Sequence, residues 1–442
     1  MKIRFLTIAC ACLLCGGMSK AQELSEVEEL ETRTSALENS VRLLQKFKVS
    51  GYIQAQYQWA QTSADGINFK LAKAQNAYET AEMKSFSRFG IRRGRIKFTY
   101  EDGIASGVVQ IDVTDKGLDD NGRNVVMFKD VYLQVKDPWF GTNLLKAGIF
   151  DRTFGYEIAY SSSRRESPER SRIFQTLFPD ERDLGVALTL QPAKSSPLNI
   201  FKLEAGLFGG NGIKPMISNS MDFIGHLTAN KPIGDNTVIS GGMSAYLGNI
   251  LTTGNDVFEM KNNTWETAGW CRYAKRRYFG LDFQFSTISA AGLTQLRGEY
   301  IFGEHAQNAV GSWNYKFTGI QTGPVYMRKI SGGYAMLTQD LGRTPFSIVA
   351  KYDFYNPNTK ISGDNIGASS ATSVNDITKS NIGLGIYWRI NPALRLTAYY
   401  DIICNETTNQ LKNTEDNGKI TAYGWEDKRK ADVFTLRLQY KF

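Results

Sequence analysis

Arg93, Arg95 and Lys97 alternate along one short run, with Ile96, Phe98 and Tyr100 in the intervening and following positions. In an extended strand, residues two apart share a face, so the three cations point one way and the apolar residues the other. A row of positive charge on a wall with a low-dielectric surround attracts and guides anions. If the apolar face meets lipid, the cations must line an interior, because a charge at the bilayer midplane costs about 2–4 kcal/mol. The other reading places the row on a rim facing water.

A second basic group lies further on. Arg152, Arg164, Arg165, Arg170 and Arg172 fall in a stretch long enough to fold inward and narrow a channel. Its charge is not one-sided: between Asp151 and Asp183 six arginines, counting Arg182, face seven acids, Asp151, Glu157, Glu166, Glu169, Asp180, Glu181 and Asp183. A loop stapled by its own ion pairs is the competing reading. A third cluster, Arg272, Lys275, Arg276 and Arg277, is expected in a loop or turn, where outer-leaflet polyanions or headgroups are plausible neighbours.

Catalytic chemistry finds little material. His226 and His305 are the two histidines, and His226 shares a strand face with Ile224 and Thr228, opposite Phe223, Leu227 and Ala229, as a lumen-lining residue would. Two histidines and distant cysteines do not form a metal set. No enzyme activity, metal or cofactor is expected. The 442 residues are 42% hydrophobic and 12% aromatic, too apolar for a disordered chain.

The elements that must position these residues are strands. Val49, Ile53, Ala55, Tyr57 and Trp59 share one face while Ser50, Gln54, Gln56 and Gln58 share the other. The alternation recurs at Leu184–Leu190, at Phe201–Leu207 opposed by Lys202 and Glu204, at Phe346–Phe354 opposed by Lys351 and Asp353, at Ile382–Trp388 and at Leu394–Tyr400. Sixteen to eighteen such runs are countable, sixteen being preferred. The last strand carries Phe434, Leu436, Leu438, Tyr440 and Phe442 on one face and Thr435, Arg437, Gln439 and Lys441 on the other. Ending on an aromatic resembles the assembly signal of outer-membrane barrels, and pairing with the first strand near Val49 would remove both sheet edges. The expected fold is all-β: an antiparallel transmembrane β-barrel of about 16 strands over 47–442. Long polar stretches, 62–85, 115–124, 152–180, 254–263, 356–379 and 405–430, are expected outside. Short turns such as 231–236 and Asn391-Pro392 are expected at the periplasmic end.

Two segments precede the barrel. Residues 1–21 read as a secretory signal, with Lys2 and Arg4, an apolar run from Phe5 to Leu14 and small residues around Ser19 to Ala21. A lipoprotein reading of Cys15 competes less well, since Leu14 is bulky. Removal leaves Cys271 and Cys404 of five cysteines, excluding a disulfide framework. It also lowers the net charge from +8 by three to +5, a mild excess that does not suggest a nucleic-acid partner. Residues 22–46 are expected to form a short periplasmic coiled-coil helix. Val27, Leu30, Thr34, Leu37, Val41 and Leu44 follow alternating steps of three and four, a heptad seam whose partners would be copies of itself. A single amphipathic helix lying at the barrel mouth is the alternative, and the Val/Leu seam does not by itself favour a trimer.

Several motifs together resemble the phosphate-selective porin O and P family. They are Gly51-Tyr52-Ile53-Gln54, Arg92-Arg93-Gly94-Arg95, Lys146 to Phe150 followed by Phe154-Gly155-Tyr156-Glu157, Glu181 to Val186, Gly206 to Gly212 and the terminal Phe442. Arg152-Thr153-Phe154-Gly155 departs from the family's Pro-Phe-Gly. The resemblance, from about residue 47 to the end, implies a sixteen-stranded homotrimer whose basic residues guide anions.

The resulting expectation is an outer-membrane porin of a Gram-negative bacterium for passive diffusion of small hydrophilic solutes, anionic or neutral, in contact with membrane lipid. A barrel receptor or attachment protein with a plugged lumen, and more remotely a soluble all-β glycan-binding protein, are the alternatives. Extraction that requires detergent, and gel mobility that changes on heating, are expected of either barrel; release in buffer alone would indicate the soluble protein.

Overall fold

A computed structural model describes residues 26–61, 85–118, 124–252, 256–262, 264–270, 273–308, 323–369, 371–412, 414–416, 419–422, 424–426 and 431–442. The expected export signal at 1–21 lies outside the described residues, as do Cys271, Arg272 and most of 62–85. The chain divides into two compact units, 1–48 and 49–442.

In the first unit, α1 (Glu26–Lys46) is a helix of 21 residues. Glycine and proline are absent from it, and Leu37, Val41 and Leu44 of the seam are exposed.

The second unit is a closed antiparallel barrel of sixteen strands. In order they are β1 (Phe47–Ala60), β2 (Phe86–Asp102), β3 (Ala105–Leu118), β4 (Asn124–Lys136), β5 (Leu144–Asp151), β6 (Arg182–Leu190), β7 (Phe201–Phe208), β8 (Asp222–Ile233) and β9 (Thr237–Leu251). The wall continues through β12 (Tyr273–Ser289), β13 (Gly292–Gln307), β14 (Val325–Asp340), β15 (Phe346–Asn356), β16 (Lys379–Arg389), β17 (Leu394–Ile403) and β20 (Val433–Lys441). The hairpin β10 (Asp256–Lys261) and β11 (Thr264–Trp270) extends the sheet through a parallel pairing of β10 with β14. A second small hairpin, β18 (Thr414–Asp416) and β19 (Lys419–Ala422), stands apart from the wall. Each wall strand pairs with the next wall strand along the chain, β9 with β12 and β17 with β20 among them, and β20 closes the ring on β1, Tyr52 opposite Lys441 through Ala60 opposite Val433. Gly51 and Phe442 exchange two backbone hydrogen bonds at 2.9 and 3.0 Å.

Burial is inverted relative to a soluble protein, as a membrane wall requires. Gln54, Gln56 and Gln58 are buried while Ile53, next before Gln54 on the strand, is 46% exposed. Leu184, Val186, Leu188 and Leu190 form an exposed apolar row, and so do Leu436, Leu438, Tyr440 and Phe442, whereas Thr435, Arg437 and Gln439 are buried. The expected alternation therefore holds on the strands named from the sequence.

Short turns of two to ten residues alternate with longer connections of five to thirty, and an even strand number puts the start of β1 and the end of β20 at the short-turn end. All of β10 lies within 254–263, in the connection between β9 and β12. One expectation needs correction. Lys275, Arg276 and Arg277 are not in a turn but in the seventeen-residue β12, which is long enough to run past the hydrocarbon layer and so to carry charge near its end.

Leu384 is half exposed at the centre of β16, and Leu190 ends β6 at a short turn. Replacing Leu384 by Arg is expected to cost about 2–4 kcal/mol in lipid vesicles, and Leu190→Arg only about 0–1 kcal/mol. Urea titrations of the two variants against wild type would show this gradient; equal costs would contradict a lipid-facing wall.

Candidate functional site

The connection 152–181 turns into the barrel, and two kinds of contact hold it there. The first is apolar. Phe154, Ile158, Ile173, Phe174, Leu177 and Phe178 pack on inward residues of the wall from β5 round to β15, among them Phe150, Phe208, Ile224, Tyr246, Tyr278, Ile301 and Tyr334. Phe178 meets Tyr278 edge to face at 5.8 Å and Phe154 at 4.9 Å. A short helix, α2 (Arg172–Leu177), carries Ile173, Phe174 and Leu177 on its buried side. Each such side chain removed from water contributes about 1.5–3 kcal/mol.

The second contact is ionic. Glu169 meets three guanidinium groups: Arg92 Nε at 2.7 Å and Arg93 Nη2 at 3.0 Å from β2, and Arg437 Nη2 at 3.0 Å from β20. The glutamine row of β1, between those strands, seats the arginines. Gln54 Oε1 accepts from Arg93 at 2.9 Å, and Gln56 Oε1 accepts from Arg437 Nε at 2.9 Å. Burial alone would push the Glu169 carboxyl up, but Arg92, Arg93 and Arg437 together hold it well below the usual carboxylate range.

Further pairs ring the loop. Glu166 takes a bidentate contact from Arg297 of β13, at 2.9 and 3.1 Å. Glu157 meets Lys351 of β15 at 3.3 Å. Conversely, the wall supplies a carboxylate to the loop backbone: Glu299 of β13 accepts from the amides of Tyr156 at 2.8 Å and Glu157 at 2.6 Å. Gly155 has φ +62°, and a Cβ there would run into that carboxylate, so glycine is required at this approach.

The eight residues proposed from sequence meet different fates. Arg93 and Arg95 face the lumen, but Arg93 belongs to the Glu169 clamp and Arg95 pairs with Asp112 of β3 at 2.8 Å. Lys97 faces the same space and makes no hydrogen bond or ion pair with a described residue. Arg152 meets Asp183 at 3.1 Å. Arg170 donates to the carbonyls of Glu157, Ile158 and Tyr160 and pairs with Glu181, bracing the loop from within. Arg172 begins α2, its amide bonded to Asp353 at 3.0 Å. Arg164 is exposed, its carbonyl accepting from Arg395. Arg165 is buried, donates Nη2 to Ser162 at 2.8 Å, and leaves Nε and Nη1 without a partner among the described residues. Self-stapling is thus half the account: Arg170–Glu181 lies within the loop, whereas Glu157, Glu166 and Glu169 pair with the wall.

Between the loop and the wall formed by β20 and β1 to β6 remains a cavity of about 260 Å³. Arg95, Lys97, Arg170, Arg182 and Lys441 line it, with Asp130 and Asp151 as its acids. Both acids bind Arg182, at 2.9 and 3.0 Å, and the lining as a whole sets five cations against these two carboxylates. Lys441, like Lys97, makes no ion pair with a described residue. Arg182, Lys441, Arg437 and the loop's glutamates were not singled out in the sequence as site residues. Their lumen face was legible for Arg437 and Lys441 from the alternation of the last strand; their partners were not.

His226 does line the lumen, 2.8 Å from Asp282, and His305 receives the Tyr278 hydroxyl contact at 2.6 Å. Among the described residues no cluster of three metal-ligating side chains occurs.

Glu169→Gln removes the clamp's charge and leaves three buried guanidiniums facing one another, at a cost of about 3–5 kcal/mol. Trypsin is expected to cut the variant at Arg164, Arg165 or Arg170 while wild type resists; equal resistance would show that the apolar contacts suffice. The depressed carboxyl stabilises the folded loop fully above the unfolded glutamate value of about 4.3 and loses that contribution as pH falls through the lower folded value. Amide exchange across 157–171 is therefore expected to stay slow at pH 4 and to accelerate only in stronger acid.

No family model and no curated protein matches the chain, but solved structures do. An anion-selective porin from Comamonas acidovorans superposes with a TM-score of 0.53 at 10% identity, covering 90% of this chain and 99% of that one. The outer membrane channel DcaP of Acinetobacter baumannii gives 0.53 at 10% identity over 90% and 97%. Salmonella typhi OmpF, in complex with daunomycin, gives 0.52 at 12% identity over 90% and 97%. This chain therefore has the fold of the outer-membrane porins, a sixteen-stranded β-barrel.

Proposed function

We propose that the protein is a diffusion channel of a Gram-negative outer membrane that passes small hydrophilic solutes and favours anions, phosphate among them. The observation that carries this reading is the cavity beside the inward loop, where Lys97 and Lys441 remain without ion pairs while both lining acids are held by Arg182. Charge on such a wall acts on a passing ion through a medium poorer in water than bulk, so an excess of lining cations over lining carboxylates biases passage. The open donors of Arg165 lie on the same loop and add to the positive field.

The anion preference thus rests on Lys97, Lys441 and Arg165 more than on Arg93 and Arg95. Resemblance of the sequence to the phosphate-selective porin O and P family supports the same solute class. That resemblance also supports a homotrimer, and the exposed seam of α1 supports association of its helices as a periplasmic coiled coil after removal of 1–21.

Purified protein in planar lipid under a salt gradient is expected to give discrete channels with an anion-selective reversal potential. Lys97→Gln should lower the anion-to-cation ratio by about threefold, the equivalent of roughly 0.6 kcal/mol of Coulomb attraction at water-like screening. A cation-selective potential would overturn the anion preference, and electrically silent protein of proper heat-modifiable mobility would favour the receptor with a plugged lumen.

A further inference from the structure

The outward face of the barrel is apolar along most of its strands, but at the long-loop end of β12, β13 and β14 it changes character. Arg277, Glu304 and Lys329 sit in register, Arg277 opposite Glu304 and Glu304 opposite Lys329. None of the three makes a hydrogen bond or ion pair with a described side chain, although they are neighbours. Two residues further into the wall the same face carries Phe279 and Phe302, directly paired with ring centroids 5.9 Å apart, and then Tyr300, stacked on Phe302 at 6.1 Å. These rings are each more than two-fifths exposed. Together they line a concavity of about 670 Å³ that opens outward, away from the lumen, and the amide of Thr359 fixes its rim by donating to the Lys329 carbonyl at 2.8 Å.

We infer that this concavity is a binding site for a membrane lipid with a phosphorylated, hydroxyl-bearing headgroup. An occupant must satisfy two demands at once, an acyl chain against the aromatic floor and an anion at the rim. Arg277 and Lys329 would grip a phosphate from either side, a guanidinium supplying planar paired donors and an ammonium a point charge. Glu304 between them repels a bare anion but accepts from a headgroup hydroxyl, which selects a sugar or glycerol phosphate over inorganic phosphate. Lys275, on the same face of β12 one step nearer the strand's end, leaves the rim with three cations against one acid. The inference needs the barrel to span a membrane but not the lumen to conduct.

Native mass spectrometry of detergent-purified protein, titrated with diphosphoryl lipid A, with its dephosphorylated form and with inorganic phosphate, tests it. Wild type is expected to retain one diphosphoryl lipid A, with the dephosphorylated form bound about tenfold more weakly and inorganic phosphate not displacing it. The double variant R277Q/K329Q should lose about tenfold for the phosphorylated lipid alone. Phe302→Ala should weaken both lipids equally. Because all three residues face away from the lumen, single-channel conductance, or its absence, should match wild type, and heat-modifiable mobility confirms that the variants fold. Equal retention by wild type and R277Q/K329Q would overturn the inference, as would displacement by inorganic phosphate. So would variants that change only the oligomeric state, which would assign the face to a second copy of the chain.

Discussion

One buried carboxylate holds the interior together. Glu169 lies among Arg92, Arg93 and Arg437, and those arginines come from the two strands that flank β1. The clamp thus spans the seam where the first and last strands meet, and the glutamines of β1 complete its hydrogen bonds. Three guanidiniums this close, in a space with little water, would repel strongly without the anion, and the anion would be costly to bury without them. Neither the loop position nor the packing of charge along the seam is stable alone.

The lumen is divided by this arrangement. On the side of β5 to β15 the loop lays down an aromatic core, so the barrel has an interior packed like that of a soluble protein. On the side of β1 to β6 it leaves a polar cavity edged by Arg95, Lys97, Arg170 and Arg182. The two halves serve different ends: packing fixes the loop in place, and the fixed loop sets which charges stay unpaired. The field in the cavity is then a remainder, what is left after the ion pairs of the loop with the wall have formed.

The wall was legible in the sequence because a strand between lipid and water writes its geometry as alternation, and Phe434 to Phe442 or Ile382 to Trp388 do so without interruption. The inward direction of Arg93, Arg95 and His226 followed from the same rule. Alternation, however, reports a face and not a partner. Glu166 and Arg297 are 131 positions apart, and Glu169 and Arg437 are 268 apart, so nothing local signals either pair. The balance of six arginines against seven acids between 151 and 183 did announce ion pairing; it could not say that half of it would be with the wall. Arg276 and Arg277 were misplaced for a related reason. Consecutive basic residues mimic a turn, although in β12 one points to Asp222 in the lumen and the next points outward.

Closure of the sheet joins Tyr52 to Lys441, positions near opposite ends of the wall's chain. Pairings so distant in sequence form late, because the entropy of closing a very long loop must be met before the contact repays it. Arg437 stands on that last strand and is also one side of the cage around Glu169. The loop therefore cannot acquire its full set of partners until β20 arrives, and β20 cannot settle over an empty lumen without leaving Arg437 uncovered. Assembly and loop placement become a single event, so a chain arrested before its final strand would have an open sheet and an unfastened loop together.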